Sequence, residues 1–454
     1  MSKILLINSP NRKSEPPRHY PYGLGILSAI LKQNNYPVEF MDGNFMSLKE
    51  SEDFLSNKKY DFIGVSGLIT TYLYQKEIIK IAKNTNPNAI ISAGGGLASA
   101  VQSQLLELIP ELDVAFVGES ETNIIPFMKN MKVSLSEIPG IVYRTGKNII
   151  KNQPVDFIEK LDTVPYPDLE ILNLHKYFEN KSFPLSPNVQ SAQRRGNVLV
   201  SRGCPYHCDF CFNTLGREKI RYRSAENVLS EIKMLTDRHA IDFISFMDES
   251  FLTSRKLTGE ICEGMKKIGK NVKWGIAARS TSTDPEILSE IKSAGCDYIY
   301  FGFDSGSEET LVQMNKKMTL DDNFNAFKES VEAGIYPVPN IIIGYDNESL
   351  KNIEENYAFF KRLIDYGKTL KSEAQREVFE RGFNNFGAIY FATPYPGSKL
   401  YERTKHRLPP LEEVLKRVSF KDAYELTVNV SQIPDDTLVK EQKKMENFVR
   451  GFRL

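Results

Sequence analysis

Residues 200–211 read VSRGCPYHCDFC, and this stretch brings three cysteines, Cys204, Cys208 and Cys211, within eight residues of one another. Their spacing is Cys-x3-Cys-x2-Cys, and it follows an apolar segment that we predict to be a strand. Three thiolates this close in sequence can bind three irons of a four-iron four-sulfur cluster, for which cysteine is the preferred ligand. One iron of such a cluster is left without a protein ligand.

Zinc is the alternative occupant of this loop. A structural zinc site takes four Cys or His ligands, and His207 inside the loop could be the fourth. The chain has no second Cys-x2-Cys pair and no His-x3-His pair to complete a zinc-binding pattern. The loop also follows a predicted strand, where a barrel enzyme keeps its active site. The spacing therefore favours an iron–sulfur cluster.

Strands and helices alternate from this loop onward. Segments rich in Ile, Val and Phe predict strands at 198–201, 243–247, 272–277, 298–302, 339–344 and 388–392. The intervening helices are predicted to begin at Ser224, Ser254, Asp284, Thr319 and Leu350, several of them on residues that cap helix N-termini. Six strand–helix units predict a partial (β/α)6 barrel over residues 198–392, with its active site at the carboxyl ends of the strands.

A second alternating series precedes the loop. Its predicted strands lie at 4–8, 37–41, 62–66, 89–93 and 114–117 and are separated by helix-length segments. Five such units predict a doubly wound parallel sheet over residues 1–135. Ligands bind to such a sheet outside the carboxyl ends of its strands. Those ends lead here into segments 9–22, 66–71, 94–96 and 118–121.

The remaining segments connect or extend these two series. Residues 136–197 contain a predicted hairpin, 140–155, and a proline-containing stretch that keeps its aromatic residues, so we interpret this part as a connector that wraps. Residues 393–454 are polar and predicted to be helical. The fold class is therefore α/β: a doubly wound parallel sheet, a partial barrel and a small helical C-terminal region.

Composition excludes several broad classes. The 454 residues include 58 basic and 58 acidic side chains, so no net charge favours nucleic acid or an anionic membrane as a partner. The apolar runs are strand-length, well short of the ~20 residues that span a bilayer. Five cysteines are too few for a disulfide framework. Because a strand and not a secretion signal opens the chain, the sequence predicts a cytoplasmic protein.

The cysteine loop resembles the signature of radical S-adenosylmethionine (SAM) enzymes, including the aromatic Phe210 before the last cysteine. The resemblance implies that Cys204, Cys208 and Cys211 hold a 4Fe-4S cluster whose open iron chelates the amino and carboxylate groups of SAM. In that family the reduced cluster cleaves SAM to methionine and a 5′-deoxyadenosyl radical, which abstracts hydrogen from an unactivated carbon. A small-molecule substrate and an external one-electron reductant, such as flavodoxin or ferredoxin, are implied as partners.

Later strand ends extend this resemblance. Segment 248–251 resembles the acidic segment that meets the SAM amino group, 302–306 resembles a segment that lines the SAM pocket, and 340–344 resembles a motif near the adenine. An arginine at 279 could pair with the SAM carboxylate in a bidentate manner. The SAM-binding residues implied in this way are Phe210, Asp248, Glu249, Arg279, Asp304, Ser305 and Asn340. A single acidic residue at a strand end is as easily solvated or a helix cap, so the recurrence at successive strands is what favours a ligand site.

The N-terminal series resembles the cobalamin-binding domain of cobalamin-dependent radical SAM enzymes. The likeness lies in segments 21–27, 61–66, 94–96 and 118–122 and in Asp42. Glycines at 94–96 remove side chains where a flat, bulky ligand approaches the backbone. The cobalamin contacts implied are Ser66, Thr70, Gly94, Gly95, Gly96, Gly118 and Glu119.

The loop after the first strand departs from a common cobalamin pattern. Many cobalamin proteins place Asp-x-His-x-x-Gly there, so that the histidine ligates cobalt. The only histidine of segment 9–22 is His19, and it lacks the flanking pattern. Within the radical SAM branch that absence is common, so cobalamin remains the expected cofactor of this sheet.

Together these resemblances imply a cobalamin-dependent radical SAM enzyme that methylates an unactivated carbon of a small-molecule or natural-product substrate. One SAM would methylate cobalamin, and a second would yield the radical. One alternative is a radical SAM enzyme that does not methylate, such as a cyclase, dehydratase, deoxygenase or an enzyme of rearrangement, with a cobalamin-binding or vestigial N-terminal domain. The other is a non-catalytic iron–sulfur or cobalamin carrier. A carrier would not need the polar residues at the later strand ends. A methylthiotransferase is disfavoured because residues 3–131 contain no cysteine.

Other residues have plainer interpretations. We predict that Cys262 and Cys296 are small core residues, although Cys296 and Tyr395, which precede and follow predicted barrel strands, are also candidates for catalysis. The glycines at 94 and 96 also suggest a dinucleotide-binding fingerprint. Ser99 stands where its third glycine should be, and the turn follows the fourth strand instead of the first.

Overall fold

The computed structural model describes residues 2–10, 17, 19–179, 191–192, 194–213, 219–269, 271–387, 389–422, 424–450 and 452–453. Parts of the predicted loop 9–22, of the connector 136–197 and of the strand 388–392 lie outside these residues. Two large sheets organise the described chain and follow each other along the sequence; the first is mixed and the second is parallel.

The first sheet contains seven strands in the order β2-β1-β3-β4-β5-β6-β7. Its strands are β1 Ile4–Asn8, β2 Val38–Asp42, β3 Phe62–Ser66, β4 Ile90–Gly94, β5 Val114–Phe116, β6 Ile141–Thr145 and β7 Asn148–Lys151. The first five are parallel, as predicted. Its helices are Tyr22–Gln33, Leu48–Ser56, Tyr72–Thr85, Gly96–Val101, Ser103–Leu108 and Ile124–Asn130. The order 2-1-3-4-5 places a topological switch point, and hence a binding crevice, between β1 and β3.

Strand β1 is buried on both of its faces, because the first sheet is packed on both sides. Ile4 and Leu6 point into one apolar cluster, whereas Leu5 and Ile7 point into a second on the opposite face. All four side chains are buried. A strand covered by helices on both faces has no polar side to alternate with, which explains its continuous apolar run.

The predicted hairpin joins this sheet instead of forming part of a separate connector. Strand β6 pairs antiparallel with β5, with Ala115 opposite Val142, and β7 completes the edge. The sheet therefore extends past residue 135, the boundary that the sequence suggested. Pairing covers the backbone of β5, which would otherwise be an exposed edge strand.

The second sheet contains six parallel strands in the order β15-β14-β13-β12-β11-β8. They are β8 Arg195–Val198, β11 Phe243–Phe246, β12 Lys273–Ala278, β13 Cys296–Asp304, β14 Tyr336–Ile343 and β15 Ile389–Phe391, and a short antiparallel ribbon is made by β9 Ser201–Arg202 and β10 Arg221–Tyr222. Each strand neighbours the next in sequence, which confirms the partial barrel.

Helices cover the outer face of this sheet. They are Ala225–His239, Arg255–Ile268, Pro285–Ser293, Glu308–Gln313, Leu320–Glu332, Leu350–Gly367 and Glu373–Asn384. The side chains of Ser224, Ser254, Asp284 and Thr319 accept the capping hydrogen bonds that the sequence predicted. Strand β13 buries Ile299, Phe301 and Phe303 beneath these helices, so the alternating Tyr300 and Gly302 lie on the concave face of the sheet.

The C-terminal segment, with helices Lys399–Thr404, Leu411–Val418 and Asp435–Arg450, packs on both halves of the chain. Leu415 and Val418 belong to the apolar cluster of the first sheet, whereas Leu438 and Met445 belong to that of the barrel. This segment therefore stabilises the arrangement of the two sheets. Among the described residues, no helix combines the length and the apolar character that crossing a membrane requires.

Candidate active site

The cysteine loop leaves strand β9 at Gly203, whose φ of +95° favours glycine. Cys208 is buried, and Cys204 and Cys211 are partly exposed. Three backbone contacts fix the outer side of the loop: Asp209 N donates to the carbonyl of Met314 at 3.0 Å, Leu400 N donates to the carbonyl of Asp209 at 2.8 Å, and the Asn315 amide donates to the carbonyl of His207 at 2.8 Å.

Within the described ranges, no three His, Cys, Asp or Glu side chains form a group that could hold a single metal ion. The role of the three loop cysteines as ligands of a four-iron cluster stays a prediction.

Asp248 follows β11 and supports the strand that leads into the loop. Its buried carboxylate accepts hydrogen bonds from Val200 N at 3.1 Å and from the backbone and hydroxyl of Ser201, both at 2.6 Å. Burial raises the pKa of this carboxyl to about 6. The neighbouring Glu249 is exposed and accepts from the Asn213 amide. Asp248 therefore fixes the backbone just before the cysteine loop, whereas the Glu249 side chain is exposed to solvent.

Asp304 and Ser305 end strand β13 and are both buried. The Asp304 carboxylate pairs with Lys316, a residue that lies in no strand and that the sequence did not single out. The Ser305 hydroxyl accepts from Ser307 N at 3.1 Å. Lys316 also lies 5.8 Å from the ring centroid of Phe210, so this ion pair adjoins the last cysteine.

Several buried polar atoms near the carboxyl ends of barrel strands lack hydrogen-bond partners in the described chain, and among them are Ser250 Oγ, Arg279 Nε and Asn340 Oδ1. A buried polar atom without a partner is costly, and such atoms mark sites where a bound molecule completes the hydrogen bonds. SAM offers amino, carboxylate, hydroxyl and adenine groups, so this mixed set of one donor, one acceptor and one hydroxyl fits it.

Sequence patterns missed two further features of the barrel. Tyr300 and Tyr390, on β13 and β15, place their hydroxyls 2.9 Å apart. Glu348, just beyond β14, accepts from Gly344 N at 2.5 Å, and burial raises its pKa to about 7. Neither feature follows a local motif. The nearest signal in the sequence is Gly344, because glycine suits the φ of +80° in the turn that leads to Glu348.

A cavity of about 250 Å³ opens at the switch point of the first sheet. Five of the predicted cobalamin contacts line it: Ser66, Gly95, Gly96, Gly118 and Glu119. Gly94 lines an adjoining apolar pocket of about 60 Å³. Thr70 lines neither of these, and its carbonyl accepts from Phe420 N at 2.7 Å.

Gly95 shows why this wall is built from glycine. Its φ is +82°, and a Cβ atom there would lie 2.9 Å from the carbonyl oxygen of Gly67. Gly96 beside it would place a Cβ atom 3.4 Å from Leu68. The neighbouring backbone and the positive φ therefore require glycine at position 95. Gly95 and Gly96 line the cavity with backbone atoms only, which suits a flat ligand such as the corrin ring of cobalamin.

Glu119 also joins the two sheets. Its side chain is buried, and its carboxylate forms ion pairs with Arg221 Nη1 at 2.8 Å and Arg202 Nη1 at 3.3 Å. The same carboxylate accepts a hydrogen bond from the backbone N–H of Ile158 at 2.8 Å. Glu121 receives Arg202 at 2.7 Å. Since Arg202 also lines the cavity and stands two residues before Cys204, one guanidinium links the cavity wall to the cysteine loop.

His19 is held by the barrel. Its Nδ1 lies 2.9 Å from the Asn197 side-chain oxygen, on β8.

Among the candidates for catalysis, Cys296 is the first residue of β13, buried at the end opposite the cysteine loop, where burial raises its pKa well above the ordinary value. The structure gives no support to a catalytic role there. Tyr395 lies in the turn after β15 and packs partly buried against the apolar cluster of the first sheet, so its role stays a prediction.

Comparisons with known proteins match both halves of the chain. The family model of the Radical SAM superfamily matches residues 198–360, and that of the B12 binding domain matches residues 13–124. The chain is similar to an uncharacterized methyltransferase of Pyrococcus horikoshii, with 26% identity over 84% of this chain and 78% of that protein. It is 25% identical to cytidylyl-2-hydroxyethylphosphonate methyltransferase of Streptomyces wedmorensis, over 97% of this chain and 88% of that one.

A relative with another activity is also found. Anaerobic magnesium-protoporphyrin IX monomethyl ester cyclase of Cereibacter sphaeroides is 28% identical over 74% of this chain, which spans only 55% of that enzyme. Among solved structures, the cobalamin-dependent S-adenosylmethionine radical enzyme OxsB with aqua-cobalamin and S-adenosylmethionine bound has a TM-score of 0.74 at 20% identity, over 98% of this chain and 66% of that one. At this identity the likeness concerns the fold.

The family matches agree with the structure. The Radical SAM match covers most of the partial barrel with its cysteine loop, and the B12 binding match covers most of the sheet whose cavity is lined by glycines. The chain therefore carries a B12 binding domain followed by a radical SAM domain.

Proposed function

We propose that this protein is a cobalamin-dependent radical SAM enzyme that methylates an unactivated carbon of a small-molecule or natural-product substrate. One observation carries the proposal. Arg202 lines the glycine-walled cavity and also leads directly into the cysteine loop, so a cofactor in the cavity and a cluster on the loop would face each other across one side chain. The relatives named as methyltransferases support the same reaction.

In this proposal, residues 1–135 and the added hairpin hold cobalamin and residues 198–392 hold the cluster and SAM. Cys204, Cys208 and Cys211 would be the cluster ligands. Ser250, Arg279 and Asn340 would complete hydrogen bonds to SAM with their unpartnered atoms. The cavity residues Ser66, Gly95, Gly96 and Gly118 would contact cobalamin. When bound, the cluster and SAM supply a radical that activates the substrate, and cobalamin supplies the methyl group.

The chain's own residues hold these groups in place and keep water out. Asp248 fixes the entry to the cysteine loop through three hydrogen bonds, and Glu119 and Glu121 fix the neighbouring Arg202. The C-terminal helix Asp435–Arg450 covers Gly344, since a Cβ atom at that glycine would lie 2.7 Å from Leu438. Exclusion of water protects a reactive radical from side reactions.

An external one-electron donor, such as flavodoxin or ferredoxin, is the proposed reductant. Lys399, Lys405 and Arg407 are exposed on the segment whose Leu400 contacts the outer side of the cysteine loop. Basic side chains beside the loop suit an acidic electron-transfer protein, because complementary charge speeds encounter.

A non-methylating reaction is the second candidate, and the cyclase relative of Cereibacter sphaeroides is the observation that favours it. The two candidates differ in the fate of the SAM methyl group. In a methylating enzyme this group passes through cobalamin, whereas a cyclase has no such requirement.

The test uses protein expressed with cobalamin, reconstituted with iron and sulfide under anaerobic conditions and incubated with SAM that carries a deuterated methyl group and with a reductant. A methylating enzyme should yield cobalamin that carries the deuterated methyl group, as seen by mass spectrometry. Cobalamin that remains bound and unlabelled would favour the non-methylating candidate. A chain that binds no cobalamin would contradict the methylating candidate and favour a non-methylating enzyme whose N-terminal domain is vestigial.

A further inference from the structure

We propose that Arg279 is a positioning residue that donates a hydrogen bond to the Cys208 thiolate and thereby makes the cluster easier to reduce. The inference rests on the proposed function, because it requires the cysteine loop to hold the cluster. The sequence resemblance suggested another role for Arg279, as an anchor for the SAM carboxylate.

The guanidinium of Arg279 lies against the cysteine loop at two points. Its Nη1 donates to the Sγ of Cys208 at 3.6 Å, and its plane lies 3.8 Å from the ring centroid of Tyr206. Arg279 itself is only 6% exposed. The cation therefore contacts a proposed cluster ligand from a site that water scarcely reaches.

The opposite edge of the guanidinium is fixed by the backbone. Its Nη2 donates to the carbonyl oxygens of Lys316 and, at 3.3 Å, of Lys317. Those residues follow Met314 and Asn315, which hold the outer side of the loop. With two carbonyls and one aromatic ring around it, the guanidinium has a defined position relative to Cys208.

The charge of Arg279 is not neutralised by an ion pair within the described chain, whereas other cations beside the loop are paired. Lys316 pairs with Asp304, and Arg403 pairs with Asp209 at 2.7 Å and with Asp346 at 2.7 Å. An unneutralised cation that donates to a ligand sulfur favours the more negative, reduced form of an iron–sulfur cluster. The effect is strong where the local dielectric constant is low.

The geometry also limits how Arg279 can bind SAM. A bidentate grip on a carboxylate uses two N–H groups on one edge of the guanidinium. Here Nη1 and Nη2 are engaged, and Nε is the atom that lacks a partner. Of the five N–H groups, that of Nε and one of Nη1 remain for SAM. Both edges of the fork include Nη2, whose two N–H groups are already used, so neither edge is free for a bidentate grip.

The test is an anaerobic redox titration of the reconstituted cluster, in the absence of SAM and followed by electron paramagnetic resonance. Arg279→Met should shift the midpoint potential to a more negative value, so that at the wild-type midpoint the ratio of reduced to oxidised cluster falls about tenfold. Arg279→Lys retains a charge without the rigid fork and should shift the potential less. Arg403→Met is the comparison variant, because it also removes an arginine beside the loop. Arg403 pairs with Asp209 and Asp346, whereas Arg279 donates to a cysteine sulfur, so Arg403→Met should shift the potential less than Arg279→Met does.

Iron and sulfide content separates tuning from simple loss of the cluster. If Arg279→Met carries a full cluster with an unchanged potential, or if Arg403→Met shifts the potential equally, the proposal is wrong. If Arg279→Met holds too little iron to titrate, Arg279→Lys decides the question by the same criterion. A wild-type chain that takes up no cluster would refute the proposed function itself, an outcome distinct from a loaded cluster with an unshifted potential.

Discussion

The Arg202 guanidinium lies 2.7 Å from the Glu121 carboxylate, so the strand that leads into the cysteine loop is tied to the loop that follows β5 of the first sheet. Arg221 lies opposite Arg202 in the backbone register of the β9–β10 ribbon. Its guanidinium forms an ion pair at 2.8 Å with Glu119, which lies in the same loop as Glu121. Two arginines of the barrel half thus meet two glutamates of the sheet half, and both pairs lie beside the cavity.

Loss of the Glu119 charge should destabilise the protein. Glu119 is 2% exposed, and its carboxylate lies between two buried guanidinium groups, so Glu119→Gln removes a negative charge that both Arg202 and Arg221 contact. Breaking a buried ion pair from one side costs about 3 kcal/mol. Urea-induced unfolding of the wild type and the variant would measure this loss.

Glu121→Gln is the matched control for that experiment. The Glu121 side chain is more exposed and reaches only Arg202, so its loss should cost about 1 kcal/mol. Equal losses for the two variants would show that Glu119 holds no special place between the two sheets.

A side chain at position 95 should displace the loop that forms the wall of the cavity. Gly95→Ala would place a methyl group 2.9 Å from the carbonyl oxygen of Gly67 and would strain a φ of +82°. We expect cobalamin affinity to fall about tenfold or more, equivalent to about 1.4 kcal/mol. Titration with cobalamin, followed by visible absorbance, measures the change.

Gly146→Ala tests the effect of backbone strain alone. Gly146 has φ +57° in the β6–β7 turn, and a Cβ atom there would meet nothing within 4 Å. This control should bind cobalamin as the wild type does. If Gly95→Ala binds equally well, the glycine-walled cavity is not the cobalamin site.

Asp248 should give the apoprotein a specific dependence on pH. Burial raises its pKa from 3.8 to about 6, so the folded state holds a proton that the unfolded state has already released. This contribution to stability is present below pH 3.8 and is lost as the pH rises through 6. The shift corresponds to about 3 kcal/mol.

The comparison is between the wild type and Asp248→Asn, with the free energy of unfolding measured at pH 4 and at pH 7. The stability of the wild type relative to the variant should fall between the two values. A relative stability that rises instead would mean that the donors at Val200 and Ser201 outweigh burial. Asp237→Asn, on the exposed side of the helix Ala225–His239, should show no such difference.

Local patterns were sufficient to predict most of the fold. Continuous apolar runs identify strands such as Ile4–Asn8 because both faces of that strand are buried. Ser224, Ser254 and Asp284 mark helix starts because their side chains satisfy the first free backbone N–H groups. The strand predicted at 37–41 begins one residue later, at Val38, after a proline that cannot donate to the ladder.

Contacts between distant segments could not be predicted in this way. The Tyr300–Tyr390 and Arg279–Cys208 contacts join residues that are 90 and 71 positions apart. The pattern that places Asp248 at a strand end does not say that its carboxylate turns toward Val200 and Ser201. Pairing of the hairpin with β5 likewise depends on an edge that exists only after the sheet has formed.

The most direct test of the central claim is the release of 5′-deoxyadenosine from SAM by the anaerobically reconstituted protein with dithionite. We predict release by the wild type and by Cys262→Ala, whose cysteine is buried in the helix Arg255–Ile268, away from the loop. Cys208→Ala should release none. Release that is unchanged by Cys208→Ala, or no release from a wild-type chain that carries a full cluster, would contradict the account.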